Sequence, residues 1–265
     1  MAVDNLALAR TMQRLVAWMD KRCRPEGFIQ HRFDSPPFGS AYVCISPGEQ
    51  SPFASANHNR IHLCGTAGGL TDDGFARLLK LFDDAGVGRF FVWVSPGPDM
   101  DAVRGWLAAA GFARRTHVAY PTLARDAGQP PHVLTDLEIR EFSTEDAARL
   151  AGRIDDSSWP DFRRSVGATG MTHFMAYDRD RPVGSAVLCA FEEVGYLCMA
   201  FTAESDRRRG AQQALIARRI EKAAALGYHA LVSETLSFLK SSLGNLRKAG
   251  FEPLYDKEVY DSRPD

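Results

Sequence analysis

Arg207–Leu215 reads RRRGAQQAL. It lies between Tyr196–Phe201, an apolar run of strand length, and an Ala-rich run of helical character. A chain that leaves a strand through arginines and a glycine and then enters a helix has unpaired backbone N–H groups at the helix start, a place that holds phosphate. Gly210 lets the backbone come close to an anion, and the amides of Ala211, Gln212 and Gln213 point outward. Arg207, Arg208 and Arg209 add charge beside the positive end of the helix dipole. Two readings are compatible with the stretch alone: a turn that holds a pyrophosphate, or a solvated charge run with an ordinary turn glycine.

The chain has 265 residues, 45% hydrophobic and 25% charged, the composition of a globular protein with enough length for two cores. Its net charge of −1 supplies no overall basic field for nucleic acid or an anionic membrane. The apolar pattern Leu6, Leu8, Met12, Leu15, Val16, Met19 is broken by Arg10, Arg14 and Asp20, unlike the core of a signal peptide, and no apolar run reaches membrane-spanning length. The five cysteines are scattered and form no Cys-x-x-Cys pair, which reads as reduced thiols of a cytoplasmic protein. His58 and His62 lie on an expected strand with no third ligand in sight, so no metal site is expected.

Taken in order, Asp4 caps a helix that runs to about Cys23, where Pro25 and Gly27 stop it. A Pro-, Gly- and Ser-rich loop follows, then strands at Ser40–Ile45 and Asn57–Gly65. Thr71 caps a helix with Phe75, Leu78, Leu79 and Phe82 on one face, ending near Gly86. Arg89–Ser95, RFFVWVS, is a strand covered on both faces. A helix with Val103, Trp106 and Leu107 ends at Gly111, and Phe112–Leu123 is a strand. Arg125–Pro131, RDAGQPP, is the expected linker. Beyond it come a strand at Leu137–Phe142, an N-cap at Ser143 and a helix at Ala147–Ile154. Strands at Thr172–Asp178, Pro182–Phe191 and Tyr196–Thr202 follow. After the opening stretch come a helix to Gly227, a strand at His229–Glu234, a helix ending at Gly250 and a strand at Phe251–Tyr260.

The two halves end alike. Ala85-Gly86 matches Leu226-Gly227, FFVWVS matches ALVSET, and Ala110-Gly111-Phe112 matches Ala249-Gly250-Phe251. This reads as duplication of one α/β unit.

With Arg207-x-x-Gly210-Ala211-Gln212 in the turn and this order of elements around it, Leu137–Tyr260 resembles the GCN5-related N-acetyltransferase (GNAT) family. The family motif is Gln/Arg-x-x-Gly-x-Gly/Ala, and Gln212 departs from its last place; there its side chain is expected to point away while its N–H still donates. The resemblance implies an α/β fold of the α+β type with a mixed sheet. Two GNAT-like domains are expected, each a mostly antiparallel twisted sheet flanked by helices: a degenerate one at 1–128 and an acetyl-CoA-binding one at 133–265. It implies that the backbone at Met199, Ala200 and Phe201 takes the pantetheine arm and acyl carbonyl, that Arg207, Arg208, Arg209, Gly210, Ala211 and Gln212 take the pyrophosphate, and that Asn245 contacts pantetheine or substrate. Many relatives have a proton-donating Tyr where this chain has Leu246.

Acyl transfer to an amine needs the nitrogen neutral, so a base must take a proton from an ammonium. Glu234, at the end of the strand His229–Glu234, is the carboxylate chosen, and relatives place a general-base Glu near this point; the same residue could instead cap the next helix or pair with an arginine. The first half resembles the family more weakly. Its turn, Gly65-Thr66-Ala67-Gly68-Gly69, has no Arg or Gln in the needed place, and Ser95 stands opposite Glu234. The expectation is a monomeric or homodimeric N-acetyltransferase that uses acetyl-CoA as co-substrate and a primary amine as acceptor, without metal, nucleic acid or membrane. The rival is a non-catalytic acyl-CoA-binding regulatory protein.

Overall fold

The structure, a computed structural model, describes residues 4–24, 26–48, 58–150 and 159–263. The chain separates into two units. One holds Met1–Pro121, Leu236–Phe238 and Tyr255–Asp265, the other Thr122–Thr235 and Leu239–Leu254.

In the first unit, helix α1 (Asn5–Cys23) starts where the Asp4 carboxylate accepts from the amides of Leu6 and Ala7 at 2.9 and 3.2 Å. Strands β1 (Ile29–Ser35), β2 (Gly39–Ile45) and β3 (Arg60–Leu63) pair antiparallel in sequence. Strand β4 (Phe91–Val94) runs parallel to β3, with α2 (Asp72–Asp84) between them in the chain. Helix α3 (Met100–Ala109) ends before Gly111, at φ +81°, and leads into β5 (Ala113–Asp126). The outcome at 24–39 differs from the expected loop. β1 lies at the edge of the strand order and its residues alternate between exposed and half-buried, so it carries no apolar run to be recognised by.

Burial explains the pattern of the other strands. Val43, Ile45, Ile61, Leu63, Val92 and Val94 pack against Phe75, Leu78 and Phe82 of α2 and Val103 and Leu107 of α3. On the opposite face Tyr42 and Cys44 meet Val16 of α1. Strands covered on both faces read as continuous apolar runs.

The last strand, β11 (Glu252–Asp261), pairs antiparallel with β4 through Glu258↔Val94 to Asp261↔Phe91. Asp261, fully buried, is held by Arg89 and Arg115 at 2.7 and 2.9 Å. The division expected from the linker is at 128–133; the assignment to the two units changes after Pro121 in β5 and after Leu254 in β11, and Arg125 and Asp126 of the RDAGQPP segment are strand residues.

In the second unit β6 (Glu138–Glu141), β7 (Met171–Asp178), β8 (Arg181–Phe191) and β9 (Val194–Thr202) form an antiparallel series. β10 (Ala230–Glu234) runs parallel to β9, and the Thr122–Asp126 segment of β5 pairs antiparallel with β10. Ser143 and Asp146 make a capping box at the start of α4 (Thr144–Arg149); the continuation expected to Ile154 lies outside the described residues. Helix α5 (Trp159–Ser165) stands between the elements expected at Ala147–Ile154 and Thr172–Asp178, where none was foreseen, and its two turns are too short to show a periodic face. It places the Ser165 hydroxyl 2.9 Å from His173 Nε2, and burial lowers the pKa of that imidazole to about 4. Helices α6 (Ala211–Ala225) and α7 (Lys240–Lys248) close the core, in which Leu215, Ile216, Ile220, Leu246 and Phe251 pack on Phe174, Ala186, Leu188 and Leu197. No helix among the described residues is long and apolar enough to cross a membrane.

Candidate functional site

The second unit opens where two parallel strands part. Pairing of β9 with β10 runs from Val194↔Ala230 to Leu197↔Ser233 and stops there, and the Ser233 hydroxyl donates to the Leu197 carbonyl at 2.9 Å at the point of separation. Past that point β9 keeps only β8 as a neighbour, and its register slips between Ser185 and Val187. Met199, at φ +48°, and Ala200 therefore have no partner residue on β8, the geometry of a β-bulge. Beyond the bulge, Gly184 faces Thr202 and leaves room that a Cβ would fill, 2.9 Å from the Phe201 carbonyl.

From Thr202 the chain passes through one 3₁₀ turn (Glu204–Asp206) into the arginines. Arg181 holds the carboxylate of buried Asp206 with two hydrogen bonds of 2.8 Å, and these bonds keep that carboxyl well below the usual range. Arg209 reaches Asp178, Asp206 and Asp136 at 2.8, 3.0 and 2.5 Å, while its carbonyl accepts from the Thr135 hydroxyl. Its guanidinium is thus committed to carboxylates and anchors the turn, whereas Arg207 and Arg208 are exposed. Arg207 has a 3.6 Å contact with exposed Glu204. Gly210 sits at φ +83° as the N-cap of α6, with no side chain capping the helix. Its Cβ position would lie 3.1 Å from the Leu134 carbonyl, so glycine is needed both for backbone angle and for space. The first amides of α6 have no acceptor within the helix by geometry.

Gln212 departs from the expectation that its side chain points away. Its Nε2 turns back to donate to the Phe201 carbonyl at 2.7 Å and the Thr202 hydroxyl at 2.6 Å. A long amide at this first-turn position reaches the end of β9, which Gly or Ala could not.

Glu234 is one residue past the last pairing of β10 with β9 and still pairs with Thr122 of β5; it is half-buried, and its Oε1 accepts from the Thr122 hydroxyl at 2.8 Å. Thr235 next to it donates to Ser242 at 3.0 Å, tying β10 to α7. Leu246, in the place where many relatives have Tyr, is packed in the core, and Asn245 beside it is half-buried. The structure thus joins Gln212 to the Phe201 end of β9 and puts Met199–Phe201 and Glu234 past the last pairing of β9 with β10. Tyr196 is a buried strand residue, and Tyr260 of the first unit bonds Glu258 at 2.6 Å.

One residue was missed in the sequence. Arg219, fully buried in α6, donates to the carbonyls of Leu215, Val187 and Cys198 at 3.0, 3.3 and 3.3 Å, and burial lowers its pKa to about 10. The signal was its place, four residues after Leu215 and four before Ala223, on the apolar face of the helix.

The corresponding turn of the first unit is built differently. Gly65, Thr66 and Ala67 all have positive φ, but a Cβ on Gly65 would stand 2.1 Å from Leu6 of α1, so α1 covers the turn. Thr66 accepts from the Asp99 amide at 2.8 Å, and the Thr71 hydroxyl takes the Gly74 amide at 3.1 Å. Asp72 and Asp73 add negative charge where α2 begins, which opposes a phosphate. Ser95 is buried. His62, buried and neutral, accepts from Arg60 Nε at 2.7 Å, and no group of three potential metal ligands is found among the described residues.

Residues 134–251 match the model of the acetyltransferase (GNAT) family. No curated protein matches the chain. Among solved structures, a GCN5-related N-acetyltransferase from Kribbella flavida is similar over 100% of this chain and 98% of its own, at 14% identity and a TM-score of 0.64. A tandem GNAT protein from the clavulanic acid biosynthesis pathway is similar over 98% and 94%, at 13% identity and a TM-score of 0.63. A GCN5-related N-acetyltransferase from Sphaerobacter thermophilus is similar over 97% and 94%, at 15% identity and a TM-score of 0.55. Residues 134–251 are thus similar to the GNAT acetyltransferase family, and the chain as a whole has the fold of GCN5-related N-acetyltransferases.

Proposed function

We propose that the second unit binds acetyl-CoA and transfers its acetyl group directly to a primary amine of a small molecule or peptide. The observation that carries this is the junction of the parted strands β9 and β10 with a helix start that has a left-handed glycine, no side-chain cap and two exposed arginines. The pyrophosphate lies on the amides of Ala211 and Gln212 with Arg207 and Arg208 beside it, and Arg209 shapes the turn through its carboxylates. Backbone N–H groups at Met199 to Phe201 polarise the thioester carbonyl and stabilise the tetrahedral oxyanion. Glu234, directly or through water, takes the proton from the ammonium. The amine nitrogen then bonds to the acetyl carbon and the carbon–sulfur bond breaks. The CoA thiolate takes its proton from water, because Leu246 offers none, and that water recovers a proton from the nitrogen as the amide forms.

A second reading has its own observation. Leu246 in the core favours a protein that binds acyl-CoA without transferring the acyl group. Thiol release from acetyl-CoA over a panel of amines separates the two. Release with at least one amine supports transfer, whereas protection against thermal melting by acetyl-CoA without release for any amine supports binding alone.

A further inference from the structure

Two side chains of α6 reach back to the same strand. Gln212 and Arg219 stand seven residues apart, about 10 Å along the helix and on one face. Gln212 holds the Phe201 carbonyl and the Thr202 hydroxyl, and Arg219 holds the carbonyls of Cys198 and Val187. Between these anchor points lie Met199 and Ala200, which have no partner on β8 and stand past the last pairing with β10. A stretch out of register with β8 and past its pairing with β10 needs another source of order, because backbone outside a regular ladder samples many geometries. A buried arginine whose three acceptors are all carbonyls, with no carboxylate among them, is itself costly; it is retained here at the register slip, where the carbonyls lie within its reach.

We infer that Gln212 and Arg219 are positioning residues that clamp the bulge of β9 to α6. They fix Met199 and Ala200 in the orientation that receives the acyl-bearing arm of the donor. Because α6 also begins the phosphate turn, the clamp ties the two ends of the donor site to one rigid helix. It accounts for Gln212 standing where the family motif has Gly or Ala. The inference rests on the donor reading given above.

The test uses the full chain and two ligands: acetyl-CoA, and adenosine 3′-phosphate 5′-diphosphate, which has the phosphates but no pantetheine arm. In calorimetric titrations Gln212→Ala and Arg219→Met should each bind the fragment within about twofold of the parent and acetyl-CoA about tenfold more weakly. Hydrogen exchange at Met199 and Ala200 should quicken, with the later turns of α6 unchanged. Arg219→Lys, which keeps the charge and reaches fewer carbonyls, should fall between, and with Gln212→Ala it carries the test where Arg219→Met does not fold. Acetyl-CoA affinity that is unchanged or tighter, or that falls equally with that of the fragment, overturns the clamp. A parent chain that binds neither ligand overturns the donor reading instead; unchanged exchange at Met199 and Ala200 then overturns the clamp on its own.

Discussion

Gly210→Ala isolates what the proposed phosphate turn demands, because the chain contains its own control. Gly210 and Gly227 flank α6 at nearly the same backbone angle, φ +83° and +82°. A Cβ on Gly227 meets nothing within 4 Å, whereas one on Gly210 would lie 3.1 Å from the Leu134 carbonyl and 3.3 Å from Thr135 Cβ. An L-residue in the left-handed region costs about 1–2 kcal/mol, so Gly227→Ala should lose about that much stability in urea titration. Gly210→Ala adds a contact that can be relieved only by moving Leu134 and Thr135, and Thr135 carries the hydroxyl bonded to the Arg209 carbonyl. Crowding of this kind adds about 1–3 kcal/mol, for a total of roughly 2–5 kcal/mol. The first amides of α6 shift with it, so acetyl-CoA binding by calorimetry should weaken by about tenfold or more, while Gly227→Ala binds as the parent does. Equal loss of stability in the two variants would show that the Leu134 contact carries nothing. Unchanged acetyl-CoA affinity in a folded Gly210→Ala protein would refute the turn as the donor site.

The remaining predictions touch other parts of the site and its support. Arg207→Ala should raise the KM for acetyl-CoA with little change in kcat, since an exposed guanidinium supplies uniform binding; unchanged donor kinetics would remove its phosphate role. Glu234→Gln should lower kcat mainly at lower pH, where loss of the amine proton most needs a base, and a variant as active as the parent across the pH range excludes Glu234. His173 has its pKa lowered from 6.5 to about 4 by burial, so the unfolded chain takes up this proton first as the pH falls. Stability is then fully present above pH 6.5 and is lost between 6.5 and about 4, by up to about 3 kcal/mol. Urea midpoints of the parent and His173→Gln should converge over that window; because His62 shifts in the same direction in the first unit, only the difference between the two proteins counts, and a constant difference refutes the assignment.

Much of the fold was legible because burial and capping leave local marks. Asp4, Thr71 and Ser143 cap the helices expected of them, and their hydroxyl or carboxylate oxygens accept the first-turn amides. Phe91–Val94 is a strand because both of its faces are covered, which is what an unbroken apolar run records. The two elements not foreseen have no such mark: β1 has a polar edge pattern, and α5 makes only two turns. The place of the last strand was hidden for another reason. Nothing in Glu252–Asp261 says that it pairs with β4, since register depends on partners distant in the chain, here Arg89 and Arg115 meeting Asp261.

The geometry of the candidate site was legible down to the backbone and not beyond it. Glycine at 210 and the end of the apolar run at Thr202 mark where amides are exposed, and main-chain geometry follows from residue type. What the side chains do there depends on neighbours that spacing does not reveal. Three consecutive arginines look equivalent in sequence, yet Asp136, Asp178 and Asp206 converge on Arg209 alone. The contrast with the first unit makes the same point from the other side. Gly65 to Ala67 share the left-handed angles of a phosphate loop, but Leu6 covers them, Thr71 takes the Gly74 amide, and Asp72 and Asp73 reverse the sign of the field. Glycines make such a turn possible; an open approach, an uncapped helix start and a positive field favour a phosphate there, and of these two turns the one at Gly210 combines them.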